Sequence, residues 1–139
     1  MTSPAPKFIK VFLVDSNKLS LVTLSLWMEQ LNDFEVVGTA LPQSKIESRI
    51  LDSQPDLVIV SVSSCGIEAL STIRRIRQID REIAIVVLHD DETDVEPLKA
   101  EVQACFSSQS PLKELLATMQ AVETRRLGDC HPVFMTKAG

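Results

Sequence analysis

Short apolar segments alternate with segments of helical periodicity along the chain, and this alternation constrains the fold more than any other feature. Several apolar segments are rich in Val and Ile, as in "DLVIVSV", which is typical of parallel strands buried on both faces. Strands are predicted at residues 8–14, 34–40, 56–62, 83–88 and 103–106. Helices are predicted at residues 17–32, 43–53, 67–79, 92–101 and 111–126. The fivefold βα pattern predicts an α/β fold with a doubly wound five-stranded parallel sheet and a functional crevice beyond the carboxyl ends of its strands.

Composition narrows the class of protein further. The chain has 139 residues, the size of one domain, and 45% of them are apolar, as in a folded globular protein. The longest apolar run, "IAIVVL", is too short to cross a bilayer and the N-terminus lacks a signal-peptide pattern, so we expect a cytoplasmic protein. A net charge of −5 argues against direct binding of nucleic acid. The three cysteines form no CxxC pair, and no metal or other cofactor is predicted.

The predicted elements group into one domain with short flanking segments. Residues 1–7 form an N-terminal tail and residues 8–128 form the domain. Gly128 and Pro132 stop the last helix, so residues 129–139 are interpreted as a C-terminal tail or the start of a linker.

Several motifs, in order, resemble one family. "IKVFLVDSNKLSLVTLSLWMEQLNDFEVVGTA", "PDLVIVSV", "GIEALSTIRRIR" and "SPLKELLATMQAV" look like the response-regulator receiver domain of the NarL/FixJ type, over about residues 8–128. The resemblance implies a flavodoxin-like receiver fold and a role in two-component signalling. In that family an Asp at the end of the third strand accepts phosphate from a histidine kinase. That Asp, the acids after the first strand and a backbone carbonyl hold Mg²⁺.

The resemblance places the family's working positions on residues of different chemistry in this chain. Ser61 falls on the phosphoacceptor position, and of the acidic pair after the first strand only Asp15 remains, because the second position is Ser16. The hydroxyl switch position falls on His89, and the lysine position on Ser107 or Ser108. The degenerate phosphorylation pocket implied in this way comprises Asp15, Ser16, Ser61, His89, Ser107 and Ser108.

These replacements remove the groups that phosphotransfer needs. An acyl phosphate requires a carboxylate nucleophile, and Mg²⁺ requires several hard oxygen ligands. We therefore interpret the chain as a pseudo-receiver: a phosphorylation-independent regulatory, dimerisation and protein-interaction module, and not an enzyme. Its expected setting is the N-terminal half of a transcription regulator, with a DNA-binding output domain outside this chain. The alternative is a stand-alone receiver that binds a ligand or docks to a protein partner.

Two functional interpretations, a hydrolase and a metal site, receive less support from the sequence. Asp15, Ser61 and His89 include an acid, a nucleophile and a base, but Ser61 lies in no G-x-S-x-G motif, so a hydrolase is only a remote alternative. The acidic run at residues 89–94 is better explained by capping of the next helix than by metal binding.

The first helix carries more apolar residues than one core face requires. Its expected core stripe is Leu19 or Ser20, Thr23, Leu24, Trp27, Met28 and Leu31. Leu21, Val22 and Leu26 fall outside this stripe, which predicts a homodimer surface formed with the fifth helix, near Arg125. The competing explanation is that the first helix is rotated and buries these residues.

Overall fold

The computed structural model contains a parallel sheet with helices on both faces. It describes residues 9–31, 33–62, 66–90, 94–107 and 133–134, with only the backbone at 66–68 and 133–134. The strands are β1 (Ile9–Asp15), β2 (Phe34–Ala40), β3 (Leu57–Val62), β4 (Ala84–His89), β5 (Ala104–Ser107) and β6 (Val133–Phe134). Within these residues the strand order is β2-β1-β3-β4-β5-β6, and every neighbouring pair is parallel. The predicted five-stranded parallel sheet is confirmed, and the two-residue β6, in the segment assigned to a tail or linker, extends it.

The helices divide between the two faces of the sheet. They are α1 (Lys18–Glu29), α2 (Ile46–Ser53) and α3 (Gly66–Ile79). Alternate residues of the strands point to opposite faces. One apolar cluster joins Phe12 of β1 to α2 and α3, and the other joins Leu13 of β1 to Leu21 and Met28 of α1. The central strands β3 and β4 contribute to both clusters, which explains why their sequences are almost continuously apolar.

A buried arginine connects α3 to the amino-terminal ends of neighbouring strands. The Arg77 guanidinium, at the end of α3, donates to the carbonyl oxygens of Glu101, Arg81 and Ile83 and to Gln103 Oε1. Gln103 Oε1 also accepts from the backbone N–H of Ile85, at 2.7 Å. Burial lowers the pKa of Arg77 from its ordinary value. These contacts connect α3 to the beginnings of β4 and β5, at the edge opposite the strand ends that carry the candidate site.

The orientation of α1 differs from the predicted one. Leu21 is only 7% exposed and packs with Met28 against the sheet, whereas Leu19 and Thr23 of the expected core stripe are exposed. The prediction that Leu21 lies outside the core is therefore wrong. The physical reason is that apolar residues occur on nearly all sides of α1, so their spacing does not define a single core face.

The fourth predicted helix is also different. Of the predicted helix at residues 92–101, the described part contains a 3₁₀ helix, Glu96–Leu98, which has Pro97 within its first turn. Proline is tolerated in the first turn of a helix but disfavoured in its interior, where Pro97 would lie in a helix that began at residue 92. Asp94 Oδ1 accepts from the backbone N–H of Glu96 at 3.0 Å, a local turn contact, whereas the N-cap residue Val95 makes no side-chain cap hydrogen bond. The fifth predicted helix, at residues 111–126, lies outside the described residues.

Candidate functional site

The carboxyl ends of four neighbouring strands bring predicted pocket residues together. In the strand pairing Asp15 lies beside Ser61, and Ser61 lies beside Leu88. His89, one residue further along β4, pairs with Ser107 at the end of β5. Parallel strands end at one edge of the sheet, so four of the six predicted pocket residues lie along that edge. Ser16 follows on the exposed surface, and Ser108 lies outside the described residues.

A cavity of about 450 Å³ lies between these strand ends and α1. Its polar lining residues include Asp15, Ser61, His89 and Asp90. The rest of the wall is largely apolar and comes mainly from α1. The other described lining residues are Leu19, Ser20, Thr23, Leu24, Trp27, Val62 and Leu88.

Asp15 connects the cavity to the beginning of α1. Its side chain is only 5% exposed, and Oδ1 accepts from the backbone N–H of Asn17 at 2.9 Å. Asn17 Oδ1 in turn accepts from the N–H groups of Leu19 and Ser20, at 2.9 and 3.1 Å. This is the usual side-chain cap of a helix N-terminus. Asp15 is thus both a lining residue of the cavity and part of the hydrogen-bonded turn that starts α1.

The side chains of Asp15, Ser61 and His89 do not form a hydrolytic triad. A triad needs the base hydrogen-bonded to both the nucleophile and the acid. Here His89 Nδ1 donates to the backbone oxygen of Asp90 at 2.7 Å, and the Asp15 carboxylate accepts from Asn17. No hydrogen bond joins these three described side chains to one another.

The donor set fits magnesium-dependent phosphotransfer poorly. The described residues contain no cluster of three or more His, Cys, Asp or Glu side chains suited to a metal ion. Asp15 and Asp90 line the cavity, but β3, which lies between β1 and β4, carries a neutral hydroxyl, Ser61, one residue before its end. Mg²⁺ takes near-octahedral oxygen coordination and is normally held together with substrate phosphates. The described residues offer no carboxylate at the β3 end to accept such a phosphate.

Two residues of the cavity were not predicted to belong to it. Asp90 was grouped with a helix-capping run and Trp27 with the core, yet both line the cavity. Trp27 also packs against the α1 side of the core, so the core assignment is correct for part of its ring. The sequence position of Asp90 could have predicted its place in the cavity, because Asp90 directly follows His89 at the end of a strand. Trp27 could not be found in the same way, because its place depends on the rotation of α1.

Other predicted residues have separate environments. Val22 and Leu26 are exposed, as predicted, while Arg125 lies outside the described residues. Cys105, on β5, is buried, and burial raises the pKa of its thiol to about 12. This thiol is therefore neutral and poorly reactive at ordinary pH.

Comparison with known proteins identifies the fold. No family model matches the chain. A LuxR-family two-component response regulator from Aurantimonas sp. SI85-9A1 superposes with a TM-score of 0.73 at 19% identity, covering 93% of this chain and 90% of that one. The response regulator domain of Thermotoga maritima CheB gives a TM-score of 0.65 at 15% identity, covering 84% and 97%. This chain has the fold of a response-regulator receiver domain.

The same fold occurs in a protein with a different description. A putative pilus assembly-related protein from Burkholderia pseudomallei K96243 gives a TM-score of 0.70 at 12% identity, covering 94% of this chain and 100% of that one. Receiver architecture therefore does not define one function, and the function of this chain has to be argued from its own site.

Among the described residues, no helix is both long and apolar enough to cross a membrane.

Proposed function

We propose that this protein is a pseudo-receiver, a receiver-fold domain that regulates through protein contacts and without phosphotransfer. The observation that carries the proposal is Ser61 at the end of β3. It lies beside Asp15 in the strand pairing, at the position that the family resemblance gives to the phosphoacceptor. A serine hydroxyl is neutral at ordinary pH and cannot form an acyl phosphate. Its place in the pocket is consistent with a domain that keeps the receiver fold but not the receiver reaction.

The surroundings of Ser61 support the same conclusion. A receiver reaction needs a cation to balance the negative charge of the phosphoryl group. The described residues that line the cavity include two aspartates, Asp15 and Asp90, and neither Lys nor Arg. Like charges would therefore face an incoming phosphate, and the buried Asp15 carboxylate is already hydrogen-bonded to the backbone of Asn17. We infer that the pocket contributes structure to the start of α1 and no longer handles phosphate.

The setting of this domain is part of the proposal. Structural neighbours include LuxR-family response regulators, one described as DNA-binding, from Staphylococcus aureus. These likenesses favour a role in two-component signalling and transcription regulation in the cytoplasm. In this setting the domain forms a homodimer and controls a DNA-binding domain outside the chain, without contacting nucleic acid itself. The net charge of −5 is consistent with that division of roles.

The test is exposure to phosphoryl donors and their mimics. Purified protein would be incubated with acetyl phosphate, or with beryllofluoride, each with Mg²⁺. We expect no mass increase of one phosphoryl group and no Mg²⁺-dependent change in the amide NMR spectrum. The matched variant Ser16→Asp/Ser61→Asp, which restores two carboxylates, should acquire a Mg²⁺-dependent spectral change. A stoichiometric, Mg²⁺-dependent shift in the wild-type protein would refute the proposal.

A second candidate function is binding of a small ligand in the cavity. The observation in its favour is the combination of about 450 Å³ of space, an apolar wall with Trp27 and a few polar groups. A ligand at 100 times its dissociation constant stabilises a protein by about 2.7 kcal/mol, so thermal-shift screening of metabolites can detect it. A true cavity ligand should also change the fluorescence of Trp27, and this change should decrease in Asp15→Asn.

A further inference from the structure

One side of α1 presents large apolar side chains to solvent. Leu19 is 74% exposed, Val22 56% and Leu26 57%. Their spacing of three and four residues places them on the same side of the helix, away from Leu21 and Met28, which pack against the sheet. Large apolar side chains grouped in a strip on one helix face, and not scattered singly over the surface, are typical of protein contact sites.

Two opposite charges lie at the two ends of this strip. Lys18 begins α1 and Glu29 ends it, and the helical repeat places both on the side of Val22. Both side chains are exposed, and neither forms an ion pair with a described residue. Over eleven residues of helix, at 1.5 Å per residue, their backbones are about 16 Å apart, too far to pair with each other.

These charges are the reverse of what a helix favours by itself. Acidic side chains are favourable near a helix N-terminus and basic ones near its C-terminus. The first turn of α1 contains no acid, and its last turn contains no base. Lys18 and Glu29 therefore each occupy the less favourable end, and a reason for them must be sought outside the isolated helix.

We propose that the strip binds a second copy of this chain, with the two α1 helices packed antiparallel about a two-fold axis. In this arrangement Lys18 of each copy lies opposite Glu29 of the other, which forms two identical ion pairs. Glu29 of one copy also comes near the N-terminus of the other copy's α1, where a negative charge is favourable. A two-fold contact must be self-complementary, and an apolar strip with opposite charges at its ends meets this requirement.

The geometry of the same face supports this register. With Lys18 opposite Glu29, antiparallel pairing brings Leu26 to the level of Leu21 in the other copy, and Val22 to the level of Ser25. Leu21 and Ser25 line a second cavity, of about 370 Å³, beside α1. The other described residues around it are Lys18, Val22, Leu26, Glu29 and Thr39. Leu26 of the second copy is therefore placed to fill space that is open in the monomer.

The size of the face indicates a dimer in exchange with monomer. The twelve residues of α1 span about 18 Å, whereas a stable interface buries roughly 800 Å² on each partner, a patch of about 28 Å across. The α1 contact alone is smaller than this. The dimer should therefore form in a concentration-dependent manner, and its ion pairs should make it weaker at high salt.

The experiment is a charge reversal followed by sedimentation over a wide range of protein concentrations. Lys18→Glu and Glu29→Lys each place like charges opposite one another, and each should weaken dimerisation by about tenfold. The double variant Lys18→Glu/Glu29→Lys restores opposite charges and should recover most of the loss. Arg49→Glu and Asp52→Lys, the same kinds of reversal on exposed positions of α2, should leave dimerisation unchanged.

A folding defect cannot imitate this result. Both single reversals put a charge at the end of α1 where the helix dipole favours it, so the fold should be at least as stable, as circular dichroism can verify. A wild-type protein that stays monomeric at every concentration would overturn the proposal. Single variants that dimerise normally would also overturn it, as would a double variant no better than the singles.

Discussion

The rotation of α1 is tested most directly by making the same substitution at two leucines of the helix. Leu21→Ala removes three carbons from a side chain that is 7% exposed and packed against the sheet. At about 0.8 kcal/mol for each buried carbon group, plus a term for the cavity left behind, the free energy of unfolding should fall by roughly 2–4 kcal/mol. Leu26→Ala removes the same atoms from a side chain that is 57% exposed, and should cost less than about 1 kcal/mol.

The assay is urea unfolding at protein concentrations low enough that dimerisation does not contribute. Circular dichroism follows the helices, and the fluorescence of Trp27, the one tryptophan of the chain, follows the packing of α1. The two variants differ only in position, so helix propensity changes equally in both. Equal losses of stability, or a larger loss for Leu26→Ala, would show that α1 has a different rotation. Such a result would also remove the exposed strip on which the proposed dimer depends.

Three further predictions concern single residues with unusual surroundings. Gly38→Ala should lower the free energy of unfolding by about 1–3 kcal/mol, measured by urea titration, because a Cβ at this position would lie 2.6 Å from the ring of Phe12. Gln54→Gly should raise the melting temperature, since Gln54 ends α2 with a φ of 47°, which glycine adopts without strain. Cys105, with its pKa raised to about 12, should resist alkylation at pH 8 in the folded protein and react once urea is added, as peptide mapping would reveal.

The sheet could be predicted from the sequence because its strands have only one plausible environment. A run such as Leu57–Val62 is apolar at nearly every position and too short for a buried helix, so only a strand covered on both faces accounts for it. Alternation with helical segments then leaves few topologies, since crossovers between parallel strands are right-handed. The strand ends follow from the same reasoning, which explains why Asp15, Ser61 and His89 were predicted to lie together.

The helices were less predictable because their patterns allow more than one solution. In α1 the apolar residues occur on several sides, so the choice between Leu19 and Leu21 as the buried residue depends on tertiary packing. In the fourth helical segment Pro97 was outweighed by a helical spacing of apolar residues, although proline is disfavoured in the interior of a helix as long as residues 92–101. The first error comes from a local pattern that tertiary packing overrides, and the second from a local signal, Pro97, that was given too little weight.

The two proposed sites meet at the start of α1, and this has a thermodynamic consequence. Leu19 lines the cavity and also belongs to the exposed strip, while Asp15 is hydrogen-bonded to Asn17, the residue that caps the helix. A molecule that fills the cavity would therefore contact the same turn that the proposed second copy contacts. If binding alters dimerisation, then dimerisation must alter binding by the same factor, because coupling between two sites is reciprocal. The proposed pseudo-receiver would in this way retain a physical connection between its cavity and its proposed dimer surface.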